Sequence, residues 1–436
     1  MCLEVCPRVT RDPSPNAQWL GPSAVKGGDY MHGLVLEGGG AKGAFQIGAW
    51  EALRELGVDI NGIAGTSVGA LNGAIIAQDE FEKCYDIWYN MCPSKIIDID
   101  DNILEKLMKF DITPDNIQYM VGQLKSVLDS RGLDIAPLKS LLKEFISEET
   151  IRKSKKDLGI VTVSLSDLRP LELFIEDIPD GHLINYLIAS AYLPVFKFEK
   201  IRGKLYLDGG FYDNLPIRLL LSKGYRDLIV VRLYGLGRKR RIRSDGINIT
   251  YINPSEDLGM TLDFTTTRAR KNLKLGYFDT LKTFKNLKGE KYYIESKNDE
   301  DYFINYFMNL KKEKVLKIGR ILGIEDMPYR RMLFEWIIPK LGELLSVGKD
   351  ERYEDIILAL YERVAKKQGV ERFKLYNYDD FEDAIINKYK PSKGMVSKMI
   401  PRILKQSDLL LKTVRDDILD EITDELFKNL MIKEIS

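Results

Sequence analysis

Ser67 stands at the centre of a Gly-x-Ser-x-Gly pentapeptide, residues 65–69, which reads Gly-Thr-Ser-Val-Gly. An apolar stretch, residues 60–64, precedes the pentapeptide, and a run of small residues with helical character, residues 68–77, follows it. A serine between a strand and a helix is typical of a nucleophile elbow, in which a sharp turn presents the hydroxyl to substrate. The flanking glycines remove side chains that would clash there. The pattern predicts hydrolase chemistry with Ser67 as the nucleophile.

A glycine-rich loop, residues 38–43, lies upstream and reads Gly-Gly-Gly-Ala-Lys-Gly. Its match to the Gly-x-Gly-x-x-Gly pattern of dinucleotide-binding proteins is formal only, because the next strand ends in the serine pentapeptide and not in an acidic residue for the ribose. Ala44 and Phe45 stand where a phosphate-binding P-loop needs lysine and a hydroxyl residue. We therefore interpret the loop as an oxyanion hole, whose amides face the charge that develops on a carbonyl oxygen. Lys42 either adds positive charge there or is an ordinary solvated lysine.

A nucleophilic serine needs a base, and the chain has two histidines, His32 and His182. Neither stands late in the chain, where the histidine of an α/β-hydrolase triad is found. Asp208, which ends a short apolar run and precedes two glycines, is the better candidate, although its alternative role is that of a turn residue. A free carboxylate titrates near 3.9 and is a weak base, but burial raises that value. We predict a dyad of Ser67 and Asp208, with His182 as the alternative base.

These motifs together resemble those of the patatin-like phospholipase family. The resemblance covers residues 31–235 and rests on the glycine loop, the serine pentapeptide, the segment Ala189-Ser190-Ala191 leading to Pro194 and Phe196, and the tripeptide Asp208-Gly209-Gly210.

The resemblance implies a lipid acyl hydrolase that uses no metal and no cofactor. Ser67 would attack the ester carbonyl while Asp208 takes its proton, and water activated by Asp208 would then release the fatty acid. The implied oxyanion donors are the amides of Gly38, Gly39, Gly40 and Val68, and the supporting motif residues are Lys42, Gly43, Gly65, Gly69, Gly209 and Gly210. Lysine at position 42 replaces the arginine of many members, so a bidentate anion contact is lost.

The elements that hold these motifs alternate between strand and helix. Residues 33–36 form an apolar run before the glycine loop, residues 44–56 have helical spacing, and a second strand leads to Ser67. Two successive strand-loop-helix units predict an α/β fold with a parallel-type central sheet, helices on both faces, and active loops at the carboxyl ends of the strands. This is the three-layer arrangement that the patatin-like resemblance implies. Further strands are predicted at 160–164, 171–175, 204–207 and 228–233.

Three regions are predicted along the chain: a flexible N-terminal segment at 1–30, a patatin-like catalytic domain at 31–298 and a helical C-terminal region at 299–436. Charged helical stretches at 103–110, 115–128 and 138–145 interrupt the alternation and are candidates for a cap over the site. In the last third, apolar residues recur at helical spacing, at Leu333, Ile337, Leu341 and Leu344 and again at Leu419, Ile422, Leu426 and Leu430. We predict that this region is all-helical.

The 436-residue chain carries 65 basic and 65 acidic side chains, so no global field favours nucleic acid as a partner. Its four cysteines lack the spacing of a zinc site or a disulfide framework, which predicts free thiols in a reducing compartment. No stretch approaches the roughly 18 apolar residues of a membrane-spanning helix, and the first thirty residues lack the apolar run of a secretory signal. We predict a cytoplasmic protein.

One strongly basic segment departs from this balance. It contains the cations Arg238, Lys239, Arg240, Arg241 and Arg243. We interpret it as a contact for anionic lipid headgroups, which would place the protein peripherally on a membrane. The alternative is a solvated loop between two strands.

The sequence thus predicts hydrolysis of the carboxylic esters of phospholipids or lysophospholipids, in lipid degradation. An acyl-carrier transferase would need a late histidine, and a catalytically silent binding protein would not need Ser67, Asp208 and the glycine loop together. Headgroup, acyl position and chain length depend on a pocket built from segments 79–157 and beyond 245, which no motif marks.

Overall fold

The computed structural model describes residues 31–91, 135–194, 196, 200–243, 245–297, 299–324, 327–348, 352–391 and 415–427. The strands are β1 His32–Leu36, β2 Ile60–Thr66, β3 Asp157–Ser164, β4 Arg169–Phe174, β5 Tyr206–Asp208, β6 Asp227–Val231, β7 Asn248–Ile252, β8 Tyr293–Ile294 and β9 Leu375–Tyr376. The α-helices are α1 Ala44–Glu55, α2 Val68–Ala77, α3 Phe81–Tyr89, α4 Ala136–Phe145, α5 Glu148–Lys153, α6 Leu183–Ser190, α7 Ile217–Ser222, α8 Thr266–Lys285, α9 Glu300–Met308, α10 Lys312–Leu322, α11 Tyr329–Arg331, α12 Ile338–Leu345, α13 Tyr353–Lys367, α14 Tyr378–Ile386 and α15 Arg415–Phe427. A π-helical stretch, Met332–Ile337, joins α11 to α12.

In the described residues, β1 to β7 form one mainly parallel sheet, in the order β4-β3-β2-β1-β6-β7, with β5 paired to β3. The predicted α/β fold with a parallel-type sheet is confirmed. Two strands, β4 and β5, nevertheless run antiparallel to β3. The predicted strand at 204–207 is shifted, since β5 covers Tyr206–Asp208 and so includes Asp208 itself.

Helices cover both faces of this sheet, as predicted. Successive side chains of a strand point to opposite faces, and β1 shows the consequence. Leu34 and Leu36 pack in a large apolar cluster together with residues of α1, α2 and α8. Val35 packs on the other face, in a second cluster that contains Leu220 of α7 and Leu228 of β6. Apolar burial on both sides makes β1 a central strand of a three-layer structure.

Helices α1 and α8 cross at glycines on one face of the sheet. A Cβ atom added to Gly48 of α1 would lie 1.9 Å from the carbonyl oxygen of Leu273, and one added to Gly276 of α8 would lie 1.9 Å from the carbonyl oxygen of Phe45. Both helix backbones therefore approach too closely for any side chain at the crossing.

Among the elements within residues 31–298 that the sequence did not predict are β7 and α8. They extend the sheet and cover its α1 face beyond the last motif. The segment 138–145 is part of α4, whereas the predicted cap helices at 103–110 and 115–128 and the N-terminal segment 1–30 lie outside the described residues. Cys84 is a buried free thiol.

The C-terminal region is helical, with its own apolar core formed by α9 to α15. Leu333, Ile337, Leu341 and Leu344 all lie in that core, as their spacing predicted. The expectation of an all-helical region is wrong in one respect, because β9 pairs in parallel with β8, which precedes residue 299. Within the described ranges, no helix combines the length and the apolar character that a membrane span requires.

Candidate active site

Ser67 occupies the turn between β2 and α2, and its backbone is strained. Its φ of 55° and ψ of −126° are uncommon for a residue with a side chain. The surrounding packing enforces this conformation. A Cβ at Gly69 would lie 2.3 Å from the carbonyl oxygen of Leu36, so glycine is needed for α2 to start against the end of β1. This is the geometry of a nucleophile elbow.

The register of β3 explains how Asp208 reaches this turn. Strand β4 occupies one edge of β3, and β2 occupies the other edge up to the pair Thr66 and Val161. Strand β5 pairs with β3 from Asp208 opposite Thr162, the next residue along. It must therefore continue the line of β2 past its end, in the opposite direction. The carboxyl ends of β2 and β5 meet, which brings Asp208 beside Ser67.

The Asp208 carboxylate is buried and only partly hydrogen-bonded. Its Oδ1 accepts a hydrogen bond from the Gly210 N–H at 2.7 Å. Its Oδ2 is buried and forms no hydrogen bond of normal geometry within the described part of the chain. Burial raises the pKa of Asp208 to about 6, although the Ser67 side chain and the Gly210 N–H both act to lower it. The group is thus a stronger base than an exposed carboxylate and is still mostly ionised at neutral pH.

Ser190 forms a hydrogen bond with the backbone of the elbow. The Ser67 N–H donates to the Ser190 Oγ at 2.9 Å, and that hydroxyl donates to the carbonyl oxygen of Val161 at 2.6 Å. Two residues further on, the Tyr192 carbonyl oxygen accepts a hydrogen bond from the Asp208 N–H at 2.8 Å. The last residue of α6 and the residues just after it therefore contact the backbones of both Ser67 and Asp208.

The glycine loop lies next to the elbow, but its amides are not equivalent. The Gly38 N–H donates to the Asn214 carbonyl oxygen at 3.1 Å, so the expectation that it faces the oxyanion is corrected. The amides of Gly39 and Gly40 have no hydrogen-bond partner among the described residues. The Val68 N–H is the first of α2, where helix amides lack intrahelical acceptors. These three amides are the available donors.

Other contacts fix the loop in place. The Ala41 N–H donates to the Thr261 carbonyl oxygen at 2.7 Å. Gly43 packs against the elbow helix, since a Cβ there would lie 2.5 Å from the Val68 Cγ2. Lys42 is half-buried in the short 3-10 turn Gly40–Gly43. Gly65 faces α2 closely, and Gly209 faces β3 closely.

Sequence reasoning missed Asp213 and Asn214, which follow the Asp208 tripeptide. The Asp213 carbonyl oxygen accepts from the Thr66 Oγ1 at 2.7 Å, and the Asn214 side chain donates to the Gly38 carbonyl oxygen at 3.1 Å. Burial raises the pKa of Asp213 to about 7. Their nearness to Asp208 in sequence was the only available signal. No signal in the sequence pointed to Thr261.

The basic segment lies between β6 and β7, and its five cations differ in their contacts. Lys239 Nζ lies 3.0 Å from the Glu37 Oε1 as an ion pair, and the Arg240 guanidinium lies 4.5 Å from the centre of the Tyr212 ring. The other three cations, Arg238, Arg241 and Arg243, are exposed. Lys239 and Arg240 are thus held by contacts with Glu37 and Tyr212.

His182, the alternative base, immediately precedes α6, and its Nδ1 lies 3.2 Å from the Asn185 Nδ2. Ser190 is at the other end of this helix, roughly 12 Å away at the rise of an α-helix. His182 is therefore at the wrong end of α6 to serve Ser67. In the described ranges, no cluster of His, Cys, Asp and Glu side chains could hold a metal ion.

Comparison with known families agrees with this geometry. Residues 34–221 match the family model described as patatin-like phospholipase. These residues form a patatin-like phospholipase domain. The match includes the glycine loop, Ser67 and Asp208, and it ends before β6.

Curated proteins match the patatin-like domain over limited lengths. The chain is 30% identical over 208 residues to the patatin-like phospholipase domain-containing protein 7 of Rattus norvegicus, which covers 45% of this chain and 13% of that protein. It is 28% identical over 200 residues to the lysophospholipase NTE1 of Cryptococcus neoformans, which covers 46% of this chain and 11% of that protein. It is 25% identical over 253 residues to the probable lipid hydrolase 463L of Invertebrate iridescent virus 6, which covers 53% of this chain and 82% of that protein. The chain thus spans a small part of the first two relatives.

Proposed function

We propose that this chain hydrolyses the carboxylic esters of phospholipids or lysophospholipids through a dyad of Ser67 and Asp208. The family match supports lipid hydrolase activity. The observation that carries the dyad is the buried Asp208 carboxylate, which lies beside a strained serine and has one oxygen without a hydrogen bond of normal geometry among the described residues. A carboxylate with a raised pKa accepts a proton more readily than an exposed one.

In the first half of the reaction, the Ser67 Oγ attacks the ester carbonyl and its proton moves to Asp208. The negative charge that develops on the carbonyl oxygen is stabilised by the amides of Gly39, Gly40 and Val68. The start of α2 adds the positive end of the helix dipole. Collapse of the tetrahedral intermediate expels the alcohol, which takes the proton from Asp208, and leaves an acyl group on Ser67.

In the second half, Asp208 takes a proton from a water molecule, which attacks the acyl-serine ester. The same amides stabilise the second oxyanion. Breakage of the acyl bond returns the proton to Ser67 and releases the fatty acid. One carboxylate thus serves as base and then as acid in each half.

We also propose that the exposed cations of the basic segment contact anionic lipid headgroups. Each such charge contributes about 1 kcal/mol near an anionic membrane surface. Arg241 and Arg243 support this role best, because Lys239 and Arg240 already contact Glu37 and Tyr212.

Labelling with a fluorophosphonate probe tests the catalytic proposal. We expect the native chain to be labelled, Ser67→Ala to be unlabelled and Asp208→Asn to be labelled far more slowly. His182→Ala serves as the control and should keep native labelling. A panel of phospholipids and lysophospholipids, with fatty-acid release as the readout, then identifies the substrate class. Equal labelling of the native chain and Ser67→Ala would end the proposal.

A further inference from the structure

Glu37 is a fully buried carboxylate at the junction of β1 and the glycine loop. It follows β1 directly and precedes Gly38, and 0% of its surface is exposed. Its Oε2 accepts hydrogen bonds from the Arg232 Nε at 3.0 Å, the Leu233 N–H at 2.7 Å and the Tyr234 N–H at 3.1 Å. The Lys239 ion pair involves its other oxygen. Burying a charge is costly unless it is paired and hydrogen-bonded. Both oxygens of Glu37 lie in ion pairs, and Oε2 is also hydrogen-bonded.

Among the described residues, the groups that pair with the Glu37 carboxylate belong to one segment, residues 232–240, which we call the strap. The strap also contacts the catalytic motifs directly. The Arg238 N–H donates to the Gly210 carbonyl oxygen at 2.9 Å, and the Arg238 carbonyl oxygen accepts from the Asn214 N–H at 2.6 Å. At Gly235, a Cβ would lie 1.9 Å from the Gly38 carbonyl oxygen. The strap therefore lies against the glycine loop and the Asp208 tripeptide at once.

The glycine loop is held at Gly38 by Asn214 and at Ala41 by Thr261, and Glu37 adds a further anchor at its start. The loop has no side chains of its own at residues 38–40, and the Leu233 side chain packs where a Cβ of Gly39 would be. Glu37 is therefore the last side chain before the oxyanion donors, and it ties them to Leu233 and the rest of the strap. Oxyanion stabilisation depends steeply on donor distance, since a misplacement of about 1 Å can cost on the order of 100-fold in rate.

We infer that Glu37 is a positioning residue for the oxyanion loop, acting through the strap. The inference rests on the proposed esterase function. Glu37 touches no substrate atom in this role. It sets where the Gly39 and Gly40 amides stand relative to Ser67.

The test compares Glu37→Gln with Glu362→Gln. Glu362 is a matched control because it is also buried and accepts hydrogen bonds from the N–H groups of Glu290, Lys291 and Tyr292, far along the chain from the motifs. The substrates are a soluble p-nitrophenyl ester and its thiono analogue, in which sulfur replaces the carbonyl oxygen and accepts hydrogen bonds poorly. Thermal unfolding is measured for each variant.

For Glu37→Gln we expect kcat on the oxygen ester to fall about 10- to 100-fold, with KM changed less than about threefold. We also expect the ratio of ester to thiono-ester rates to fall at least several-fold, because misplaced amides no longer favour oxygen over sulfur. Glu362→Gln should lower the melting temperature but keep the native kcat and ratio. If Glu37→Gln does not fold, Lys239→Gln replaces it and should lower kcat and the ratio in the same direction.

One outcome would overturn the inference alone. In that outcome the native chain hydrolyses the ester, and a folded Glu37→Gln variant has the same kcat and the same ratio of ester to thiono-ester rates as the Glu362→Gln control. With Lys239→Gln in its place, a native kcat and ratio would do the same. A native chain that neither hydrolyses the ester nor reacts with a fluorophosphonate would overturn the proposed function and the inference with it.

Discussion

The main-chain N–H of Ser67 donates to the hydroxyl of Ser190, 123 positions later in the chain. The same hydroxyl donates to the carbonyl oxygen of Val161 in β3. A single buried side chain thus satisfies the amide of the strained elbow and joins it to the central sheet. Strained backbone persists only where surrounding contacts enforce it, and this hydrogen-bonded pair is one of those contacts.

Replacement of Ser190 tests the value of this support. Ser190→Ala leaves the Ser67 N–H and the Val161 carbonyl oxygen unsatisfied in a buried place, so we expect the free energy of unfolding to fall by about 1–3 kcal/mol. We expect kcat to fall as well, because the elbow loses a constraint. Urea unfolding and ester hydrolysis measure the two effects. The matched control is Ser222→Ala, whose partly buried hydroxyl donates to the Leu219 carbonyl oxygen outside the site. Equal effects on kcat would contradict the proposed support.

The pH dependence of activity should report Asp208. Because the carboxylate must be ionised to accept the Ser67 proton, and its pKa is raised to about 6 by burial, kcat/KM should rise with pH through about 6 and level off above it. The profile is measured with a soluble ester at constant ionic strength. His182→Ala should leave its midpoint unchanged. A midpoint near the ordinary aspartate pKa, or a midpoint that disappears in His182→Ala, would count against Asp208 as the base.

Replacement of glycine by alanine should destabilise the chain at the crossing of α1 and α8 and stabilise it at an open helix position. Gly48→Ala would place a methyl group 1.9 Å from the Leu273 carbonyl oxygen, so we expect a loss of stability of about 2 kcal/mol or more through overpacking. Gly342 of α12 has nothing closer than 3.7 Å to an added Cβ. Gly342→Ala should therefore stabilise by about 0.5–1 kcal/mol, since alanine is the better helix former. Denaturant unfolding of both variants gives the comparison, and a harmless Gly48→Ala would refute the close crossing.

Membrane contact is tested by removing two exposed cations together. The double variant Arg241→Gln/Arg243→Gln should bind vesicles containing phosphatidylserine about 10- to 30-fold more weakly, at about 1 kcal/mol per charge. Its hydrolysis of a soluble ester should be unchanged. Lys311→Gln/Lys312→Gln removes two exposed cations from the C-terminal region and is the charge-matched control. Equal weakening by both pairs would show net charge to be the cause, and the basic segment would lose its assigned role.

Many of the strands and helices around the site could be predicted, because the sequence patterns that indicate them are local. The motifs that carry Ser67 and Asp208 stand at strand ends, and periodicity alone indicates the strands and helices around them. The meeting of β2 and β5 could not be predicted, because it depends on which edge of β3 each strand occupies. The use of the Gly38 amide by Asn214 is likewise a contact between distant residues. Helix α8 was missed because polar side chains such as Asn272 and Thr280 stand on its buried face.

The position of β1 between β2 and β6 has a practical consequence for dissecting the chain. The family match ends at residue 221, whereas β6 begins at Asp227. A fragment cut at the end of the match would lose β6, β7 and α8, and it would expose the backbone donors and acceptors of β1 as an open sheet edge. Such an edge is a template for intermolecular strand pairing. The smallest fragment worth expressing therefore extends past Lys285, and the recognisable family segment by itself should aggregate.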